Sequence, residues 1–315
     1  MANNTNNNYE ISNLDTLWKE VKEYRKSEHF WKVMQACKKF HNLAPYNAML
    51  VEMQRPSAKY VLTQEEWRKK YDREIKPNAR PIIILVPFGP VDFLFDVSDT
   101  YPTDLFKKSE DDILEDIASP FKTKKEVSDA MLNSLISQLA IHSIAIDNCF
   151  IAGAGYGARL ELLENDSYKI YLRIKQHDYI MYAKYLLSVN KNSTNGSRYA
   201  NICHELGHLF CFHLSSPKEW KGWQTRQLSE EAIEFEAESV AWIVCERLGI
   251  GKPSAKYLSG YLDEHGEIPS HVSIERILSA AKDVLKMCNS NVPLNYKEGL
   301  LYRYCDEFKN ITKKL

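Results

Sequence analysis

No two cysteines in this sequence stand at CxxC spacing. Cys37, Cys149, Cys203, Cys211, Cys245, Cys288 and Cys305 are scattered and odd in number. That argues against a disulfide framework and against a thiolate cage around a metal. Long hydrophobic runs are missing too. Runs such as Ile82–Val86 are far too short to cross a bilayer, so no membrane partner is expected. The first residues, MANNTNNNYE, lack the basic-then-apolar pattern of a signal peptide, and a reducing cytoplasm is the consistent location. Glycine is sparse, and its one cluster, Gly153, Gly155 and Gly157, is not GxGxxG. It reads as a turn rather than a phosphate cradle. Net charge is only −1, which excludes a molecule that grips nucleic acid over its whole surface.

What is present is unevenly spread. Residues 16–81 hold 15 Lys/Arg against 8 Asp/Glu, a local +7, so the remainder carries −8. A basic amino-terminal third on an acidic body suggests a polyanion-facing surface. A chain of 315 residues exceeds what one small core usually fills, so two domains are expected. Residues 1–10 read as a disordered tail. Leu14, Leu17, Trp18, Val21 and Tyr24 predict a helix within 11–40, and Pro45 opens another over 44–53. Thr63 and Glu66 have capping-box spacing at the head of a short helix. RPIIILVP and VDFLFDV read as two strands joined by a turn at Gly89 and Pro90. The charged stretch 102–125, bracketed by Pro102 and Pro120, reads as a linker. Beyond it come a helix to about residue 141, then short strands at ARLELL, YKIYLRIK and AKYLLSV. Helices follow over 198–214, 228–248, 253–264 and 272–288. The fold class is α+β.

The segment that carries chemistry is His204-Glu205-Leu206-Gly207-His208, an HExxH. Residues four apart share one helix face, so both imidazoles can grip one ion from adjacent turns. Glu205 stands on the same flank, where it can act as base toward water activated at the metal. Zinc suits imidazole and carboxylate ligands with one position left open. A third ligand is needed. The metzincin pattern would need Gly at 211 and His at 214, but Cys211 and Leu214 stand there. His213 is one residue out of register and reads as a surface or supporting histidine. The gluzincin pattern needs a Glu on a later helix. Within Glu230–Ala241, Ile233, Ala237, Val240 and Ala241 form an apolar stripe with Glu234 and Glu238 beside it, one turn apart. Glu234 is assigned to the metal and Glu238 to orienting a ligand histidine through its free ring nitrogen. Glu236 is the rival ligand. Glu230 and Glu231 belong to the first turn, where they complement the helix dipole. Tyr257 is a candidate donor to an oxyanion, with packing the competing use.

His204–His208 followed by EFEAESVAWIVCERLGI resembles the ImmA/IrrE-like metallopeptidases and the metallopeptidase domain of ArdC-type antirestriction proteins, through Glu234, Ala237 and Glu238. That resemblance implies a small zincin domain over 126–315, a twisted sheet packed on the active-site helix. It also implies an edge strand near Tyr182–Val189 that aligns an extended peptide. The stretch from Pro45 to Thr100 is similar to the ArdC-type single-stranded-DNA-binding domain. The matching residues include Tyr46, Asn47, Gln54, Pro56, Trp67, Arg73, Pro81, Leu85, Phe95 and Asp96. Asn78 and Ala79 replace a frequent Lys-Gly turn, which thins the basic strip. The resemblance implies an α+β module over 11–101 that binds single-stranded DNA. Tyr60, Trp67, Arg68, Lys69, Lys70 and Arg73 are the candidate contacts. The expected activity is zinc-dependent peptide hydrolysis of a DNA-associated regulatory or defence protein. The alternative is a DNA-binding antirestriction or mobile-element accessory protein whose zinc site is structural or inactive.

Overall fold

The computed structural model describes residues 27–86, 89, 91–103, 108–118, 125–147, 150–151, 157–174, 177–250, 261–262, 267–289 and 295–313. The expected tail at 1–10, the glycine cluster at 153–155, the helix begun at 253 and Tyr257 lie outside them. The chain divides into two compact units. One is Met1–Lys124 with Leu262–Ile268, the other Lys125–Tyr261 with Pro269–Leu315. Among the described residues no helix is long and apolar enough to cross a membrane.

In the first unit, helices α1 (Ser27–Lys39) and α2 (Pro45–Gln54) pack on one another. A three-stranded antiparallel sheet follows, ordered β1 (Val61–Leu62), β4 (Asp92–Asp96), β3 (Ile82–Ile84). Strands β2 (Arg73–Ile75) and β5 (Thr100–Pro102) form a separate antiparallel ribbon. Helix α3 (Gln64–Tyr71) opens with the expected capping box: Thr63 and Glu66 each accept the other's backbone N–H. Asn78 sits at φ 65°, a left-handed conformation that asparagine tolerates, and so makes the turn without glycine.

Two amides on α2 fasten the outer edge of the sheet. Asn47 donates to the carbonyl of Leu85 and accepts its N–H, at 2.9 and 3.1 Å. Gln54 does the same with Ile83, at 2.7 and 2.9 Å. These side chains stand where a further strand would pair.

The expected linker departs from the structure. Helix α4 (Glu110–Ala118) lies within it, and Ile113 is fully buried in a cluster with Tyr60, Leu62, Trp67 and Val97. The charges misled because this helix is amphipathic: Ile113 and Leu114 face the cluster while Asp111 and Asp112 face solvent.

In the second unit, α5 (Asp129–Gln138) leads to a three-stranded sheet of order β6 (Ile144–Asp147), β10 (Tyr185–Val189), β7 (Ala158–Leu162). Strand β10 is parallel to β6 and antiparallel to β7. A hairpin of β8 (Lys169–Ile174) and β9 (His177–Tyr182) stands beside it. Helix α6 (Asn195–Phe210), capped by Thr194, packs on β7 and β10. Against its other side lie α7 (Glu230–Leu248), capped by Ser229, and α8 (Ile274–Cys288), capped by Ser273. Short helices α9 (Leu300–Tyr304) and α10 (Asp306–Lys313) follow.

The edge strand expected near Tyr182–Val189 is a central one. Tyr185, Leu186, Leu187 and Val189 are all buried, the continuous apolar run of an interior strand. The edge beside α6 belongs to β7, where Leu160 is buried, Arg159 is exposed and the other residues are half-buried.

Candidate metal centre

Helix α6 brings His204 and His208 onto one face, and α7 brings Glu234 to meet them. The close approach depends on Gly207: a Cβ there would lie 2.9 Å from both the Cα and the carbonyl oxygen of Ala237. Helix α7 is buried along most of its length, so Glu236 and Glu238 point into neighbouring elements, whereas Glu230 and Glu231 in the first turn are exposed.

Three ligand atoms converge. His204 Nε2 and His208 Nε2 are 3.1 Å apart, and Glu234 lies 3.4 Å from the first through Oε2 and 3.5 Å from the second through Oε1. These three residues can hold a metal ion. A tetrahedral ion with bonds of ~2.0–2.1 Å has its ligand atoms about 3.3–3.4 Å apart, so the three side chains are spaced about as such an ion requires. Glu238 is buried and accepts from His204 Nδ1 at 3.1 Å, which leaves Nε2 of His204 to face the triangle.

The electrostatics fit a cation. Burial opposes a charge on His204, but hydrogen bonds to Glu234 and Glu238 outweigh it and raise its pKa to about 9. His208 moves the other way, to about 3, from burial and then from the charge on His204. Glu234 is held below the ordinary carboxylate range, chiefly by its hydrogen bond with His204. The pocket therefore favours one positive charge among carboxylates.

Glu205 stands on the same flank. Its Oε2 accepts the backbone N–H of Leu160 on β7 at 2.9 Å, so the edge strand holds the carboxylate. Burial raises its pKa, against the lowering effects of His204 and that N–H. A carboxylate poised in this way suits proton transfer.

The rival ligand, Glu236, points elsewhere. Two residues along a helix is about 200° of rotation, which carries it away from Glu234. It is fully buried and engaged by Arg226, His213 and the backbone N–H of Ser273.

The proposed nucleic-acid residues fare differently. Trp67 is fully buried, donating Nε1–H to the Phe95 carbonyl, and Tyr60 packs edge-on to it. Arg73 is 4% exposed and bonds Thr100 and the Lys108 carbonyl. These three are core, as aromatics at helical spacing and a fully engaged guanidinium usually are. Arg68, Lys69 and Lys70 are exposed, paired with Glu74, Glu65 and Glu66. Sequence reasoning missed Leu160 and Arg226. A backbone N–H leaves no mark in the sequence, and Arg226 lies in a segment with no regular period.

No protein-family model matches the chain, and no curated protein does. Two solved structures are similar to it, both crystal structures of the antirestriction ArdC protein from R388 plasmid, one Mn(II)-bound and one metal-free. They are 12% and 13% identical, cover 78% of this chain and 82% and 85% of their own, and have a TM-score of 0.33 each. At that score the chemistry of this chain rests on its own residues.

Proposed function

We propose that the second unit is a zinc-dependent hydrolase acting on peptide bonds. The observation that carries the reading is the triangle of His204, His208 and Glu234, with Glu205 beside it. A zinc ion there would polarise a carbonyl oxygen and acidify water. Glu205 takes the proton of the attacking water and delivers it to the leaving amine. Glu238 keeps His204 in the ligating tautomer. The outer edge of β7, which no other strand pairs among the described residues, suits an extended peptide beside the Leu160 N–H that Glu205 already holds. A DNA-associated regulatory or defence protein is the proposed substrate class, and the Met1–Lys124 unit the proposed nucleic-acid-facing part, through the exposed Arg68, Lys69 and Lys70.

The second reading keeps the metal and drops turnover: a DNA-binding accessory protein, antirestriction in role, with a structural site. Under it the chain would share the role named for the ArdC structures. One experiment separates the two. Purified protein is expected to carry about one zinc, lost in His204→Ala and Glu234→Ala. Glu205→Gln should keep the zinc and lose hydrolysis of an unstructured protein substrate by at least a hundredfold. Equal hydrolysis by wild type and Glu205→Gln would leave the second reading standing.

A further inference from the structure

Helix α6 does not stop with glycine. Phe212 takes the left-handed conformation at φ 63°, a strained choice for a bulky residue. Its N–H bonds the carbonyl of Leu209, and the N–H of His213 bonds that of His208, at 3.1 and 3.0 Å. This is the paired closure that usually needs glycine at the reversal. Phe212 is held there by Trp223, whose ring centroid is 4.7 Å away, and by the Arg276 guanidinium at 4.6 Å. The reversal folds His213 back beneath His208.

A chain of contacts then runs inward. His208 Nδ1 lies 3.1 Å from His213 Nδ1, and His213 Nε2 lies 3.0 Å from Glu236 Oε2. The side chains of His213 and Glu236 are 1% and 0% exposed. Glu236 is clamped by Arg226 through both oxygens, at 2.5 and 2.9 Å, and by the N–H of Ser273 at 2.7 Å. Cys211, His213 and Glu236 could form a second cation cluster, but Arg226 already supplies the positive charge there.

The direction of each bond follows from the far end. Glu236, held ionised by these donors, can only accept, so His213 donates from Nε2. A His208 that ligates through Nε2 carries its proton on Nδ1, which donates to Nδ1 of His213. The lone pair of His208 is left on Nε2, facing Glu234 and His204 Nε2. We propose that His213 is a positioning residue for the metal centre: anchored by Glu236 and Arg226, it fixes the tautomer and ring orientation of the ligand His208. This rests on the metal-centre reading above and adds a residue to it. Glu238 does for His204 in one step what His213 and Glu236 do for His208 in two.

The test uses the full chain and zinc alone. Zinc affinity is measured by chelator competition for wild type, His213→Leu and His213→Asn, with thermal melts of the metal-free forms as a folding check. Leucine removes the acceptor, whereas the asparagine oxygen can replace Nδ1. His213→Leu is expected to bind zinc ten- to a hundredfold more weakly, the usual effect of losing such a support. His213→Asn should stay within a few-fold of wild type, and the visible spectrum of the cobalt-substituted protein should change in the leucine variant alone. Unchanged affinity in His213→Leu, or equal losses in both folded variants, would overturn the proposal. If His213→Leu does not fold, long-range 1H–15N spectra of zinc-loaded wild type decide. They should show His213 neutral with its proton on Nε2, and any other state overturns the proposal. A wild type that binds no zinc overturns the metal-centre reading itself, and this one with it.

Discussion

His142 shows how much a single buried side chain can tie stability to pH. It lies wholly inside the second unit, its ring edge-on to Phe210, and Nδ1 has no hydrogen-bond partner among the described residues. Burial, helped by the positive charge of Arg303, holds its pKa down from 6.5 to about 3. The unfolded chain therefore binds a proton between those values that the folded chain refuses. Stability contributed by neutral His142 is complete above pH 6.5 and drains away as pH falls toward 3, by on the order of a few kcal/mol in total. Urea midpoints at pH 7 and pH 5 should drop less in His142→Leu than in wild type. A matching drop in both would assign the effect to other groups.

At the scale of elements, the site depends on how closely two helices approach. Gly207→Ala drives a methyl group into the backbone of α7 at Ala237. Since α6 supplies two ligands and α7 the third, the strain falls on the triangle itself. The variant should lose about 1–3 kcal/mol of stability, seen as a lower thermal midpoint, and bind zinc more weakly in chelator competition. A destabilised variant with unchanged zinc affinity would show that the ligands move independently of the helix spacing.

These two helices were the most legible part of the sequence. Their period, the HExxH spacing and the carboxylates beside the stripe of α7 are local signals, and the structure brings His204, His208, Glu234 and Glu238 together as that pattern predicts. The opposite courses of Glu234 and Glu236 follow from helix geometry alone. What was not legible is long-range. The position of β10 between β6 and β7 depends on pairing across distant segments, and the partner of Glu205 is a main-chain N–H. His213 looked misplaced because spacing rules assume a helix that continues, whereas α6 reverses at Phe212. In the first unit, aromatic and basic residues were read as a surface. Trp67, Tyr60 and Arg73 instead serve the core, because a small sheet has few other large side chains to fill it.

Among the described residues, charge is less lopsided in space than in sequence. Among the described residues of the basic third, Arg55, Lys59, Arg68, Lys69 and Lys70 each face a carboxylate of their own unit. Pairs as exposed as Lys69 with Glu65 hold little energy, so these cations are restrained rather than removed. Salt, which screens such pairs and any polyanion alike, would weaken a nucleic-acid contact made through Arg68, Lys69 and Lys70.

The amides of Asn47 and Gln54 have a consequence for how copies of this chain behave in a crowd. A bare strand edge is an invitation to any other edge, and β3 would present one. By filling its donors and acceptors at Ile83 and Leu85, the two side chains close that border to a further strand. Asn47→Leu with Gln54→Leu keeps the helix but reopens that border. Such protein should form light-scattering assemblies on mild warming, at concentrations where the wild type stays dispersed. If it stays equally dispersed, the border is guarded by something else.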